Sequence, residues 1–405
     1  NARNGQVLAR ASRYNQQMRK ADDVASRISW CRGPEEVDWM RRLVVEETLN
    51  PLIHEVCAAA DLDPHRVWRV SAAGNTVMTH LLLGFSPAGI GVIPFSPVIR
   101  APPPVPARSI GLDVGPETWL EVAPCISGYV GGDVVADLHV ARLLDNPGPA
   151  LLLDIGTNGE MALWKDGRLH VAATAAGPAF EGAGVRHGCR AAAGAIEHFR
   201  WRDDGTPDYR VIGPRRPIGL CGSALIDFLS ESRRAGLLTE TGRFNLERLK
   251  TTGRYLAVPG ANGTRHACVI VEESDSGIEG PIYITEADVA ELLKAKAAIR
   301  AGIETLLEVT GCPLEAVREL VLAGGFARHI DIGHAIRIGL LPALPQERFR
   351  VIGNGSLAGA VLKLLDAGTD AAFAHIVEVA EPVELNLVPS FADRFADAVL
   401  LPDAD

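Results

Sequence analysis

At 405 residues, 47% hydrophobic and 22% charged, the chain is long enough for two or three domains with a large buried core, and its composition is that of a folded protein. A net charge of −10 and a pI near 5.6 give no general attraction to nucleic acid or anionic lipid, so any phosphate site has to be local. Seven scattered cysteines without a CxxC read as reduced, buried thiols, no run reaches the ~18 apolar residues of a membrane span, and the start lacks a signal-peptide pattern, so the expectation is a cytoplasmic protein with neither nucleic acid nor membrane as partner.

The chain opens on NARNGQVLARASRYN, whose NG reads as a hairpin turn entering a strand, so it is expected to begin partway through a domain. Helical spacing follows in DDVASRISW and in EEVDWMRRLVVEETLNPLIHEVCAAADL; VWRVSAA returns to strand before the turn at Gly74 and Asn75 and another apolar helix. After a proline-rich loop, SPVIRAPPPVPARS, the strand WLEVAPCISGYVGGD ends in glycines and runs into the helix VVADLHVARLLD. A domain boundary falls at Asn146 to Pro149, dividing 1–147 from 148–405. The second half restarts with the strand LLLDIGTNGEMAL, turns at Lys165 to Gly167 and continues through RLHVAATAAG. The region from about Trp201 to Ile284, polar and rich in Gly and Thr, reads as a peripheral β-rich insertion. Beyond it come the long helix ITEADVAELLKAKAAIRAGIETLLEVTG, the strand ELVLAGG, a helix, the strand RFRVIGN and a final helix from Ser356. The halves share an outline of strands and helices, an approximate duplication without visible sequence repetition.

Chemistry concentrates at three strand ends. In LLLDIGTNGE a buried strand ends in Asp154, Gly156 and Gly159; backbone amides in such a turn can bind phosphate oxygens, and the carboxylate can hold Mg²⁺ through water. A tight, capped β-hairpin would use the same residues. A calcium loop fails, because the third, fifth and twelfth positions from Asp154 are Gly156, Asn158 and Lys165, and neither a Walker A loop nor a GxGxxG before a helix occurs. In LVLAGGFARHIDI, Gly324 and Gly325 end a second buried strand just before a helix. In CISGYVGGDVVADL, Asp133 follows a Gly-Gly pair. Three such ends favour a ligand at a switch point of an α/β sheet over three unrelated turns. Glu160 and Glu181 are further acids that could line such a cleft, whereas Phe180 reads as core, His187 with Cys189 falls short of a four-ligand metal site, and Ser223 reads as a helix start.

The motifs DIGTNGE, AAGNTVMTHLLLG, GYVGGD, GPAFEGA and LAGGFA together resemble the reductive activators of corrinoid proteins, within the ASKHA superfamily of acetate and sugar kinases, Hsp70 and actin. The resemblance covers nearly the whole chain. It implies an α/β fold of two ribonuclease-H-like lobes around ATP, 1–147 and 148–405, and an ATP-dependent iron–sulfur protein that returns a Co(II) corrinoid methyl-carrier to Co(I). It implies Asp154, Gly156, Thr157, Asn158 and Gly159 as a phosphate loop with Mg²⁺ on Asp154 through water, and Gly324, Gly325 and Phe326 as an adenosine loop. Asp133 would orient the attacking water, and Lys294 and Lys296 would lie beside the adenine.

The family's amino-terminal [2Fe-2S] domain and its first phosphate hairpin have no counterpart in these 405 residues. The expectation is therefore that this chain alone binds ATP weakly at best, hydrolyses it negligibly, and leaves the strand RASRY exposed or paired with another copy in a homodimer. The partners implied are ATP and a corrinoid protein. Two rival readings are a small-molecule kinase of the same superfamily and a non-catalytic module that docks a corrinoid protein.

Overall fold

The computed structural model describes residues 1–21, 23–260 and 263–403. In chain order it forms α1 (Val24–Trp30), α2 (Pro34–Val44), α3 (Asn50–Ala59), β1 (Arg69–Ala72), α4 (Thr76–Leu83), β2 (Val105–Pro106), β3 (Trp119–Val122) and α5 (Gly132–Ala141). The hairpin strands β4 (Ala150–Ile155), β5 (Gly159–Lys165) and β6 (Arg168–Thr174) follow, then β7 (Ala195–Trp201), β8 (Pro207–Val211), β9 (Gly219–Leu220) and α6 (Gly222–Arg234). Next come α7 (Leu246–Thr251), β10 (Tyr255–Gly260), β11 (Gly263–Val271), β12 (Ile282–Thr285) and α8 (Glu286–Val309). The chain ends with β13 (Glu319–Ala323), α9 (Ile332–Arg337), β14 (Phe349–Gly353), α10 (Gly355–Leu365), α11 (Thr369–Val379), β15 (Ala380–Pro382) and α12 (Ser390–Ala398). No helix among the described residues is long and apolar enough to cross a membrane.

These elements fall into two compact units. The first comprises Asn1–Pro147, Trp164–Val171 and Asn354–Pro382; the second comprises Gly148–Leu163, Ala172–Gly353 and Val383–Asp405. In the first unit β1 pairs parallel with β3, β2 runs antiparallel to β3, α5 packs on α10, and β15 pairs parallel with Leu169–Val171. In the second, β13 lies between β14 and β4, parallel to both. Leu151, Leu152 and Leu153 are fully buried, which is why β4 reads as an unbroken apolar run instead of an alternating one. The capping box of α8, Thr285 with Asp288, starts its 24-residue helix where the sequence places it.

The second unit contains a repeat of the first that is visible once the structures are aligned by element. Residues 60–75, ADLDPHRVWRVSAAGN, and 310–325, TGCPLEAVRELVLAGG, each follow a helix, α3 or α8, and each pass through a 3-10 turn, Pro64–Arg66 or Leu314–Ala316, into β1 or β13. The helix ends close alike. Asp61 (φ 52°) and Gly311 (φ 56°) both turn left-handed, and Leu62 and Cys312 donate their amides back to Cys57 (2.8 Å) and Leu307 (2.9 Å). A cross-strand ion pair recurs with its signs exchanged: Arg69 of β1 with Glu121 of β3, and Glu319 of β13 with Arg350 of β14 (2.6 Å). Three identities, Val67/Val317, Ala73/Ala323 and Gly74/Gly324, are too sparse to stand out in the bare sequence, so the duplication shows in the elements and not in the residues.

Three expectations are corrected. Val7–Tyr14 alternates like a strand but forms none, because strand formation needs a hydrogen-bonded neighbour and this segment pairs with no strand among the described residues. The supposed peripheral insertion contributes Ala224, Leu225, Ile226, Phe228 and Leu229 of α6, all fully buried, to the main core of the second unit. The helix from Ser356 is not the last: α11 and α12 follow it.

Candidate functional site

The carboxyl ends of β4, β13 and β14 meet in the second unit. The parallel register sets Ala323 beside Asp154, and the amide of Gly324 donates to the carbonyl of Gly353 at 2.9 Å. Gly324 has φ +94°, and a Cβ built on it would lie 2.6 Å from Asp154 Oδ1 and 3.0 Å from the Ile155 carbonyl oxygen. Only glycine satisfies both conditions, so the second strand end closes directly onto the carboxylate of the first. Around this contact the backbone is open. A Cβ on Gly325 would meet nothing within 4 Å, and one on Gly156 would come no nearer than 3.8 Å to any atom.

The turn between β4 and β5 is held by its own groups. Gly156 N donates to Asn158 O (3.0 Å), Asn158 Nδ2 to Glu160 Oε1 (3.1 Å), and Thr157 Oγ1 to Glu181 Oε1 (2.8 Å). Glu160 is buried, whereas Glu181 comes from the loop after β6 and faces the turn. Gly159 has a packing role: a Cβ there would stand 2.8 Å from Thr174 Oγ1 and 2.9 Å from Ile299 Cγ1 of α8. Its missing side chain therefore seats α8 against the strand, which is a different duty from exposing amides to a ligand.

Phe326 stacks on the buried Phe180, with centroids 5.9 Å apart and planes at 11°, and Gly222 at the start of α6 leaves room for its ring. Ser223, on the next residue of α6, donates to the Glu197 carbonyl (2.6 Å) and is buried, in keeping with a helix start. Lys294 and Lys296 diverge because residues two apart on a helix point to opposite sides. Lys294 is exposed and paired with Glu291 (2.8 Å), while Lys296 is buried and donates to the Leu400 carbonyl (2.7 Å). Burial, with Arg300 alongside, pulls the Lys296 pKa down to about 8. Lys296 thus anchors the C-terminal segment, and the two lysines do not share one face beside a ligand.

Asp133 belongs to the first unit, in the opening turn of α5. Its amide donates to Gly74 O (3.3 Å), its carboxylate accepts from Val134 N (2.9 Å), and a Cβ on Gly131 would lie 2.5 Å from Asn75 Cα. Gly74, the counterpart of Gly324 in the repeat, therefore lies against an acidic helix start.

No group of three or more His, Cys, Asp or Glu among the described residues is arranged to hold a metal ion. The cysteines are free and, Cys189 apart, buried. Burial pushes the thiols of Cys31 and Cys189 up to about 11, so they stay protonated and are poor ligands. This donor set does not fit an iron–sulfur cluster. His187 stacks edge-on against Tyr283 at 4.6 Å and takes no part in a metal site.

One polar cluster escaped the sequence entirely. Asp227 and Glu231, a turn apart on α6, face His334 of α9 at 2.8 and 3.7 Å, with His198 of β7 3.4 Å from Asp227, in the wall of a cavity of about 850 Å³. Burial would lower the His334 pKa, but the hydrogen bond to Asp227 and the charges of Asp227 and Asp331 outweigh it and raise it. Nothing in the isolated sequence signals that three distant segments converge here.

This α/β sheet, with an acid and bare glycine backbone at its strand ends, lies in residues 148–405, which match the family described as "C-terminal domain of RACo the ASKHA domain", while residues 1–146 match "RACo middle region". The chain belongs to this RACo family. It is 33% identical over 396 residues to the corrinoid activation enzyme RamQ of Eubacterium limosum, covering 96% of this chain and 66% of that protein. It is 27% identical over 345 residues to the Co(II) methylated amine-specific corrinoid protein reductase of Methanosarcina barkeri, covering 78% and 59%. A solved structure, a reductive activator for corrinoid, iron-sulfur protein, superposes with a TM-score of 0.92 at 37% identity, covering 99% of this chain and 63% of that one. The chain thus spans less than two thirds of the length of each of these relatives.

Proposed function

We propose that this chain is the ATP-binding portion of a protein that reductively reactivates a corrinoid protein from Co(II) to Co(I). The observation that carries the nucleotide reading is the closure of Gly324 onto Asp154 with open backbone on either side, at Gly156 and Gly325. The amides of 156–158 would receive phosphate oxygens, and Gly325 would let the nucleoside lie on bare backbone. Asp154 would hold Mg²⁺ through water, an ion that would offset phosphate charge when bound. Asp133, by the family resemblance, would orient the attacking water. Lys294 would remain beside the base, with Lys296 supporting the helix from within. The chemistry is phosphoryl transfer to water, dominated by positioning and electrostatics.

Two ribonuclease-H-like lobes, the first gaining residues 164–171 and 354–382 beyond the expected 1–147, are supported by the repeat of residues 60–75 in 310–325 and of the β1/β3 pair in β13/β14. The electron would come from a [2Fe-2S] centre held by residues other than these, since the thiols here are buried and scattered. The corrinoid partner comes from the relatives, which are named for it.

Mg-ATP turnover of the full-length protein, measured with and without a Co(II) corrinoid protein, tests the assignment. Turnover that rises with the corrinoid protein supports it. Phosphorylation of a small molecule without any protein partner would identify a kinase, and corrinoid-protein binding without nucleotide effect would identify a docking module.

A further inference from the structure

The loop between β6 and β7, residues 175–194, crosses itself. A Cβ on Gly182 would lie 2.5 Å from Cys189 N and 2.8 Å from its carbonyl oxygen, so the two strands of the loop touch backbone to backbone. The crossing is pinned from outside: Cys189 N donates to Leu220 O of β9 (2.9 Å), and Arg186 N donates to Asp288 Oδ1 in the first turn of α8 (2.8 Å). Its consequence is to set two residues nine apart in sequence side by side. Arg190 lies 3.8 Å from Glu181 Oε2, and the other oxygen of the same carboxylate accepts from Thr157 on the strand-end turn. That oxygen also stands 3.8 Å from where a Gly156 Cβ would be. Arginine, carboxylate and threonine hydroxyl therefore form a row across the open side of the turn.

We propose that Arg190 is a phosphate-contacting residue and that Glu181 is the group that positions it, a role that rests on the nucleotide site above. Phosphate oxygens seated on amides 156–158 bring negative charge up to Glu181, which repels it. The two donors Glu181 holds, the Thr157 hydroxyl and the Arg190 guanidinium, are those best able to turn from a carboxylate to a phosphate. Arg190 is 53% exposed, so its long side chain has space to swing, and its planar fork matches two phosphate oxygens at once. Glu181 thereby keeps Arg190 and Thr157 beside the turn at a cost in phosphate affinity, and Arg190 is the residue that favours a triphosphate over a nucleoside.

The test is titration of the full-length protein with Mg-ATP and, separately, with adenosine, in wild type, Arg190→Ala, Arg190→Lys and Glu181→Gln, with thermal unfolding as a check on folding. Arg190→Ala should weaken Mg-ATP about tenfold and leave adenosine unchanged. Arg190→Lys should fall between, and Glu181→Gln should bind Mg-ATP several-fold more tightly. Equal Mg-ATP affinity in wild type and Arg190→Ala, or equal losses for ATP and adenosine, would overturn the proposal while leaving the nucleotide site standing. A wild-type protein that binds neither ligand at millimolar concentration would overturn both.

Discussion

Gly324 and Gly325 are neighbours with opposite expected sensitivities, and substituting each by alanine separates scaffold from ligand surface. At Gly324 an L-residue would be forced to φ +94°, a strain of roughly 1–2 kcal/mol. Its Cβ would also press on Asp154 Oδ1 at 2.6 Å and on the fixed Ile155 carbonyl at 3.0 Å. The carboxylate can rotate away but the carbonyl cannot, which adds an overpacking cost of about 1–3 kcal/mol. Gly324→Ala should therefore lose roughly 2–5 kcal/mol. At about 2–4 °C per kcal/mol for a unit of some 200 residues, its melting transition should drop by about 4–20 °C. Gly325→Ala places its Cβ in open space, so stability should hold or rise by about 0.4–1 kcal/mol through loss of freedom in the unfolded chain. Calorimetric melting of both variants, paired with nucleotide titration, reads the difference: Gly325→Val, with a bulkier branch on the same open backbone, should lose nucleotide affinity and keep its Tm. Equal Tm losses in the two alanine variants would refute the reasoning, because Gly325 would then be a packing residue like Gly159.

In the full-length protein Asp154→Asn should cut Mg-ATP affinity or turnover by about tenfold or more with the fold intact, and unchanged turnover would return Asp154 to a turn residue. Phe228→Ala should cost about 3–5 kcal/mol in denaturant unfolding, since the ring is fully buried; a loss below 1 kcal/mol would make α6 peripheral after all. His334 has a folded pKa raised above its unfolded value of about 6.5, so the stability it contributes is complete below that pH and is lost as pH rises through the folded value. Asp227 and Glu231 of α6, His198 of β7, and Asp331 and Arg337 nearby set that value. The stability gap between wild type and His334→Gln, measured as urea midpoints, should shrink from pH 6 to pH 8, and a constant gap would contradict a stabilising His334–Asp227 ion pair.

The strand ends were legible because burial and chemistry leave local marks: three leucines before Asp154, and Gly324 and Gly325 after an apolar run, can be read without knowing what they face. The long helix after Thr285 was equally plain from its apolar spacing. What escaped depends on partners distant in sequence. Val7–Tyr14 has the alternation of a strand, but pairing is not a property of one segment. The α6 residues SALIDFLSES sit among polar neighbours, so their burial shows only once β7 and α9 close around them. Arg190 was invisible for the same reason. It matters through a loop crossing at Gly182 that brings residues 181 and 190 together. Lys296 was assigned by family position, yet helix phase sends it inward to Leu400.

The central claim is that the β4–β5 turn and the end of β13 hold a nucleotide. Hydrogen exchange of the protein, with and without Mg-ATP at millimolar concentration, addresses it directly at the amides concerned. Mg-ATP should slow exchange at residues 155–159 and 324–326, and Asp154→Asn should abolish most of that slowing. Exchange unchanged at both segments, or slowed only elsewhere, would contradict the account.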